Sequence, residues 1–213
     1  VGGDGVNASW DDGTYEDASS IVSDGTNIYA GIGNSSGEAE VWRYNGTTWT
    51  KVGGDTLNSS WLIAAPGPYE RVTTMVADGT TIYAGLGTGA GDAEVWKCAS
   101  CNSSPTWTKV GGDGSGTAGQ SWATSTYEEV SALTIVNGTT LAVGLGTTAG
   151  DAELWTCATS SCTVTSGWTK RGGDATGTGG QSWTNVIDEI RSLASSGNII
   201  YVGMGVTAGD ADV

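Results

Sequence analysis

Histidine and phenylalanine are absent from this 213-residue chain. Without histidine there can be no Ser-His-Asp relay, no Cys-His pair and no ordinary catalytic zinc site. Long apolar runs are absent too. Nothing approaches the roughly 20 consecutive apolar residues that a membrane-spanning helix needs, so no membrane insertion is expected. Basic residues are scarce, with 8 Lys and Arg against 23 Asp and Glu and a formal charge of -15. That excess repels phosphate backbones and anionic lipid, so no nucleic-acid partner is expected. What the chain has in quantity is glycine, 36 residues, and tryptophan, 10. Glycine at this level without a three-residue period is not collagen, and recurrent tryptophan argues against disorder.

The tryptophans recur because the chain repeats itself. VGGD occurs at Val1–Asp4, Val52–Asp55 and Val110–Asp113, and returns as Arg171-Gly172-Gly173-Asp174. Each phrase leads to a Ser-Trp pair, Ser9-Trp10, Ser60-Trp61, Ser121-Trp122 and Ser182-Trp183. A turn glycine follows at Gly25, Gly79, Gly138 and Gly197, and six residues later comes G-x-G, beginning at Gly31, Gly85, Gly144 and Gly203. Then comes an acidic phrase ending in Trp42, Trp96 or Trp155, and three copies reach a second tryptophan at Trp49, Trp107 or Trp168. The modules are 1–51, 52–109, 110–170 and 171–213, with lengths of 51, 58, 61 and 43 residues. The length differences fall in connections, as they do in repeat scaffolds.

Each module carries four strand candidates. In the second, 71–77, 81–87, 92–97 and 106–111 alternate in period two, with Asp78-Gly79 as a hairpin turn. No segment has helical periodicity or the length for a βαβ crossover. The expected fold is therefore all-β, a β-propeller of four-stranded antiparallel blades with four repeats present. A sandwich, a β-solenoid and an open array are the alternatives. The expected layout puts the b–c and d–a connections on one face, and the a–b turns and cysteine-bearing c–d connections on the other. The G-x-G glycines are expected either to admit a close neighbour or to mark a bulge. The ends, Val1-Gly2-Gly3 and Ala211-Asp212-Val213, admit a closed four-bladed ring, but a window cut from a longer array is the more economical expectation.

The phrases DGTxIYAGxG and xAEVWxxNGTTW resemble repeat text of extracellular propellers, in particular the Asp-box class. Tyr44-Asn45-Gly46-Thr47-Thr48-Trp49 echoes the second half of its hairpin signature, with Asn45 where that class has Asp. The resemblance implies a propeller fold and either of two roles, glycosidase or noncatalytic receptor, between which the fold does not choose.

Cys98-x-x-Cys101 and Cys157-x4-Cys162 both fall in c–d connections, where local disulfides would restrain the longer hairpins and indicate an oxidising compartment. One zinc site using all four is the alternative. N-x-[ST] sequons stand at Asn7, Asn34, Asn45, Asn58, Asn102 and Asn137, all in or beside turns.

Two repeated sets are candidate sites. The acid pairs Glu38/Glu40, Asp92/Glu94, Asp151/Glu153 and Asp210/Asp212, beside glycine-rich turns, are candidate calcium ligands. The structural alternative makes the first acid a turn cap and the second a partner for a neighbouring strand or base. Trp10, Trp61, Trp122 and Trp183, with Asp4, Asp55, Asp113 and Asp174, are candidate ligand-binding residues for a lectin-like face. The alternative for the tryptophans is packing between blades. Acids that recur fourfold do not resemble one catalytic centre, so the expected function is noncatalytic. It is a secreted or cell-surface binding or adhesion scaffold, with an extracellular glycan or protein as partner and self-association as an array. A glycan-processing hydrolase and a purely structural array are the alternatives.

Overall fold

A computed structural model describes residues 1–3, 5–10, 17–35, 37–54, 56–61, 71–87, 93–112, 121–122, 129–146, 152–164, 166–173, 183, 189–205 and 213. Among them the regular structure is β, with two single 3-10 turns at Val6–Ala8 and Leu57–Ser59. In the first module β1 (Ala18–Ser23), β2 (Ile28–Ile32), β3 (Glu40–Tyr44) and β4 (Trp49–Gly53) form one antiparallel sheet in chain order. The second repeats it with β5 (Val72–Asp78), β6 (Thr81–Leu86), β7 (Glu94–Ala99) and β8 (Thr106–Gly111). The third does so with β9 (Val130–Val136), β10 (Thr140–Leu145), β11 (Glu153–Ala158) and β12 (Thr169–Gly172). From the fourth comes the hairpin β13 (Ile190–Ser196) and β14 (Ile199–Met204).

The chain divides into two compact units, Val1–Thr88 with Trp96–Lys109, and Gly89–Val95 with Val110–Val213. Inside the first, β1 lies beside β5, and inside the second, β9 lies beside β13. Each unit has its own apolar core. Tyr29, Val41, Val52, Trp61, Val72, Met75 and Ile82 pack together in the first, and Val136, Ala142, Leu154 and Ile190 in the second. Five of the six residues of β6, and likewise of β10, are buried. Burial on both faces removes the alternation that a half-exposed strand would show.

The two G-x-G glycines answer to different physics. A Cβ on Gly31 would lie 2.8 Å from the Val72 Cβ, and one on Gly144 would lie 2.8 Å from the Ile190 Cβ, so the first glycine makes room for the next module's first strand. Its partner strand is bulged opposite this point in every module, at Ser19, Thr73, Ser131 and Arg191. Crowding and bulge therefore occur together. The Ser19 hydroxyl donates to the Val72 carbonyl and the Ser131 hydroxyl to the Ile190 carbonyl, so the bulge aims a donor at the neighbouring module. The second glycine, Gly33, Gly87, Gly146 or Gly205, has φ between 104° and 128°, where a side chain would be strained.

The a–b turns differ in length. Asp78 pairs with Thr81, so Gly79-Thr80 rather than Asp78-Gly79 forms the two-residue loop, with Gly79 at φ 57°. In the first module Ser23 pairs with Ile28, and the longer loop is organised by Asp24. Its carboxylate accepts from the Thr26 N–H at 2.8 Å, the Asn27 N–H at 2.6 Å, the Asn27 amide at 3.0 Å and the Tyr29 hydroxyl at 2.8 Å. Burial works to raise the Asp24 pKa, but these bonds outweigh it and hold the group below 3.8. A lowered folded pKa contributes stability that is present above the unfolded value and is lost as pH falls through the folded one. Asp24→Asn is therefore expected to be less stable than wild type by about 1 kcal/mol at pH 7, a figure reduced for the site's partial exposure. The gap should narrow in urea melts as pH falls below about 4, and a gap independent of pH would reject this role.

Candidate functional site

Among the described residues the recurrent tryptophans form three ring triads, one in each of the first three modules. Trp61 lies edge-on to Trp96 and Trp107, with centroids 5.8 and 5.2 Å away. Trp10 meets Trp42 and Trp49 at 6.0 and 5.2 Å, and Trp122 meets Trp155 and Trp168 at 6.3 and 5.1 Å. Edge-to-face contacts of this kind contribute about 0.5–1.5 kcal/mol each beyond burial. Every triad is also tied backwards along the chain. Trp61, Trp122 and Trp183 donate their indole N–H to the carbonyls of Ala39, Ala93 and Ala152, at 2.7, 2.8 and 2.8 Å. Trp49, Trp107 and Trp168 donate to Val1, Val52 and Val110, at 2.9, 2.8 and 2.8 Å. The first glycine of each VGGD phrase supplies the slot. A Cβ on Gly53 would lie 2.8 Å from the Trp107 Nε1, and one on Gly2 would lie 2.7 Å from the Trp49 Nε1.

The Ser-Trp tryptophans thus stand mainly as wedges. Trp61 is 0% exposed and Trp122 1%, so neither offers a ring face to a sugar, while Trp10 and Trp183 are half-buried. The preceding serines belong to the same lock. Ser60 Oγ accepts from the Gly54 N–H at 2.9 Å and Ser9 Oγ from the Gly3 N–H at 2.8 Å, whereas the Ser121 hydroxyl donates to the Gly112 carbonyl at 2.8 Å. Asn7 and Asn58 sit in left-handed turns, and their amides donate to Val1 and Val52 carbonyls at 3.0 and 2.9 Å. Those two sequon amides are already engaged with backbone.

Glu38 and Glu40, the acid pair whose members are both described, do not point into one common site. Glu38 accepts from the Asn34 and Ser35 N–H groups at 3.2 and 3.0 Å and so caps the turn before β3. Glu40, two residues on, is buried and ion-paired with Lys51 of β4, and it accepts from the Trp42 indole at 2.7 Å. Glu153 repeats this with Lys170 and, at 2.7 Å, with Trp155. Glu94 is buried at the equivalent position. Among the described residues no group of three or more acids, histidines or cysteines is placed to hold a metal ion. Asp92, Asp151, Asp210 and Asp212 lie outside the described residues, as do Asp4, Asp55, Asp113 and Asp174.

Each disulfide ties the end of a third strand to the c–d connection after it, Cys98 of β7 with Cys101 and Cys157 of β11 with Cys162, so the first cysteine of each pair lies on a strand and not in the connection as expected. The first also positions a contact that the sequence did not reveal. The Arg43 guanidinium, on β3, donates to the Cys101 carbonyl at 3.2 Å and to the Asn102 carbonyl, so one module grips the disulfide loop of the next. Arginine does not recur at that repeat position, where the next two modules have Lys97 and Thr156, so the repeat pattern carries no sign of this contact. In the second unit a cavity of about 330 Å³ is lined by Val136, Thr140, Thr156, Arg171, Asn198 and Ile200. Arg171 replaces the valine of VGGD, and its Nε donates to the Thr156 hydroxyl at 2.8 Å. The comparison with known proteins does not add a function. No family model, curated protein or solved structure matches the chain. Among the described residues no helix is long and apolar enough to cross a membrane.

Proposed function

We propose that the modules are blades of a β-propeller, part of a larger ring or array, that works outside the cell as a noncatalytic binding or adhesion scaffold. The tryptophan lock carries this reading. Within each unit its aromatic, serine and glycine positions are consumed in joining one module to the next, which suits a structural repeat. Adjacency of first strands within each unit, β1 beside β5 and β9 beside β13, suits innermost strands of neighbouring blades. The buried acids Glu40 and Glu153 are occupied by lysines, which favours a structural role over paired acid and base catalysis. Two disulfides suit an oxidising compartment. With those positions engaged, recognition falls to the b–c and d–a loops, whose Gly, Ser, Thr and Asp content suits hydrogen bonding to an extracellular glycan or protein surface.

An oligosaccharide array probed with the chain, and with Asp113→Ala and Asp174→Ala, tests this. Binding that weakens about tenfold in these variants, with unchanged melting, is the expected result for a glycan-binding loop face. Cleavage of any arrayed glycan would overturn the noncatalytic reading.

A further inference from the structure

The Cys98–Cys101 disulfide lies where the first two modules meet. Both cysteines are 0% exposed and belong to one apolar cluster with Val52 of the first module and Trp107 of the second. The bond also shapes the connection after it. Ser100, between the two cysteines, has φ 49°, and the Cys101 N–H donates to the Thr80 carbonyl at 3.0 Å. The Ser103 and Ser104 N–H groups then donate to the Ser100 carbonyl at 3.1 and 3.0 Å. These bonds use neither the Cys101 nor the Asn102 carbonyl, and the Arg43 guanidinium of the first module takes both. A connection without the cross-link has more conformations to lose before two carbonyls stand side by side for one donor. Bond and grip therefore act at the same junction.

We propose that Cys98–Cys101 is a redox clasp on the junction of the first two modules, opened by a dithiol. Closed, the disulfide holds the two carbonyls where Arg43 takes them. Opened, the connection relaxes and the grip is lost. The coupling runs both ways, because a contact that the disulfide favours must in turn favour the disulfide. Two fully buried sulfurs are out of reach of a reductant in water, so exchange waits for a local opening of the junction. A thiolate of the dithiol then attacks one sulfur, the Cys98–Cys101 bond breaks and a mixed disulfide forms. The second thiol of the reductant displaces the protein sulfur and closes the reductant into its own disulfide. Two electrons pass to the cysteine pair, and the two protons of the dithiol end on Cys98 and Cys101. Neither the number of modules nor a bound ligand enters into this clasp.

The test is the rate at which dithiothreitol reduces each disulfide of the folded chain, read by alkylation and peptide mass mapping. In Arg43→Ala, Cys98–Cys101 is expected to be reduced about tenfold faster than in wild type, the change in open population that follows the loss of hydrogen bonds from a charged group. Cys157–Cys162, in the other compact unit, should keep its wild-type rate. A second measurement runs the coupling the other way. Arg43→Ala should lower the urea midpoint of the disulfide-bonded chain, and should have less than half that effect in a Cys98→Ala/Cys101→Ala background. Where that background does not fold, the reduction rates alone decide. Equal reduction rates in wild type and Arg43→Ala overturn the clasp, as does an Arg43→Ala loss that is the same in both backgrounds. Faster reduction of both disulfides alike would show a general loosening of the fold and overturns it too.

Discussion

Trp61→Ala is expected to cost about 3–5 kcal/mol, the usual range for removing a fully buried tryptophan. Three losses add at this position. The ring is 0% exposed, its contacts with Trp96 and Trp107 disappear, and the Ala39 carbonyl loses a donor at 2.7 Å. In a domain of this size a loss of that order lowers the melting temperature by about 10 °C or more. Trp10→Ala removes the same side chain at the same repeat position, but there the ring is half-buried. Thermal melts followed by circular dichroism should show Trp10→Ala losing half as much or less. Equal losses would mean that the wedge between modules does not set the energy.

Lys51→Ala is the second large effect, at about 2–4 kcal/mol. Breaking a buried ion pair leaves the remaining charge uncompensated, and the full penalty of about 3–5 kcal/mol is reduced because lysine is partly in water. The Glu40 side chain is 4% exposed and that of Lys51 23%, so the carboxylate bears most of the cost. The Trp42 indole N–H, at 2.7 Å, is then its remaining described partner. Adding Glu40→Gln removes the stranded charge and keeps a group that can accept from the indole. The double variant should recover more than half of the loss in urea denaturation. No recovery would assign the loss to the lysine's packed methylenes instead.

Much of the fold was legible because it is written locally. The period-two alternation of 81–87 and the glycine after Asp78 need no distant partner to be read, and β6 and its turn fall within a residue of where they were expected. The paired cysteines were legible for the same reason, since a spacing of three or five residues within one hairpin permits closure. Arg43 was not. Its partners are carbonyls at Cys101 and Asn102 in another module, and a backbone acceptor leaves no mark in a sequence.

By itself, then, the sequence determined the recurrence of the module, the strands described within it and the positions at which glycine, tryptophan and acid recur, since recurrence and alternation are properties of the chain alone. Only the tertiary structure decided what each recurrent residue does. Gly31 makes room for Val72 while Gly33 adopts a left-handed backbone, though the two glycines stand two residues apart in one motif. Trp61 is a wedge rather than an open platform, and Glu40 answers to Lys51 rather than to Glu38. The physical reason is common to all three. A side chain's role is set by what fills the space beside it, and that space is filled by a strand or module distant in sequence.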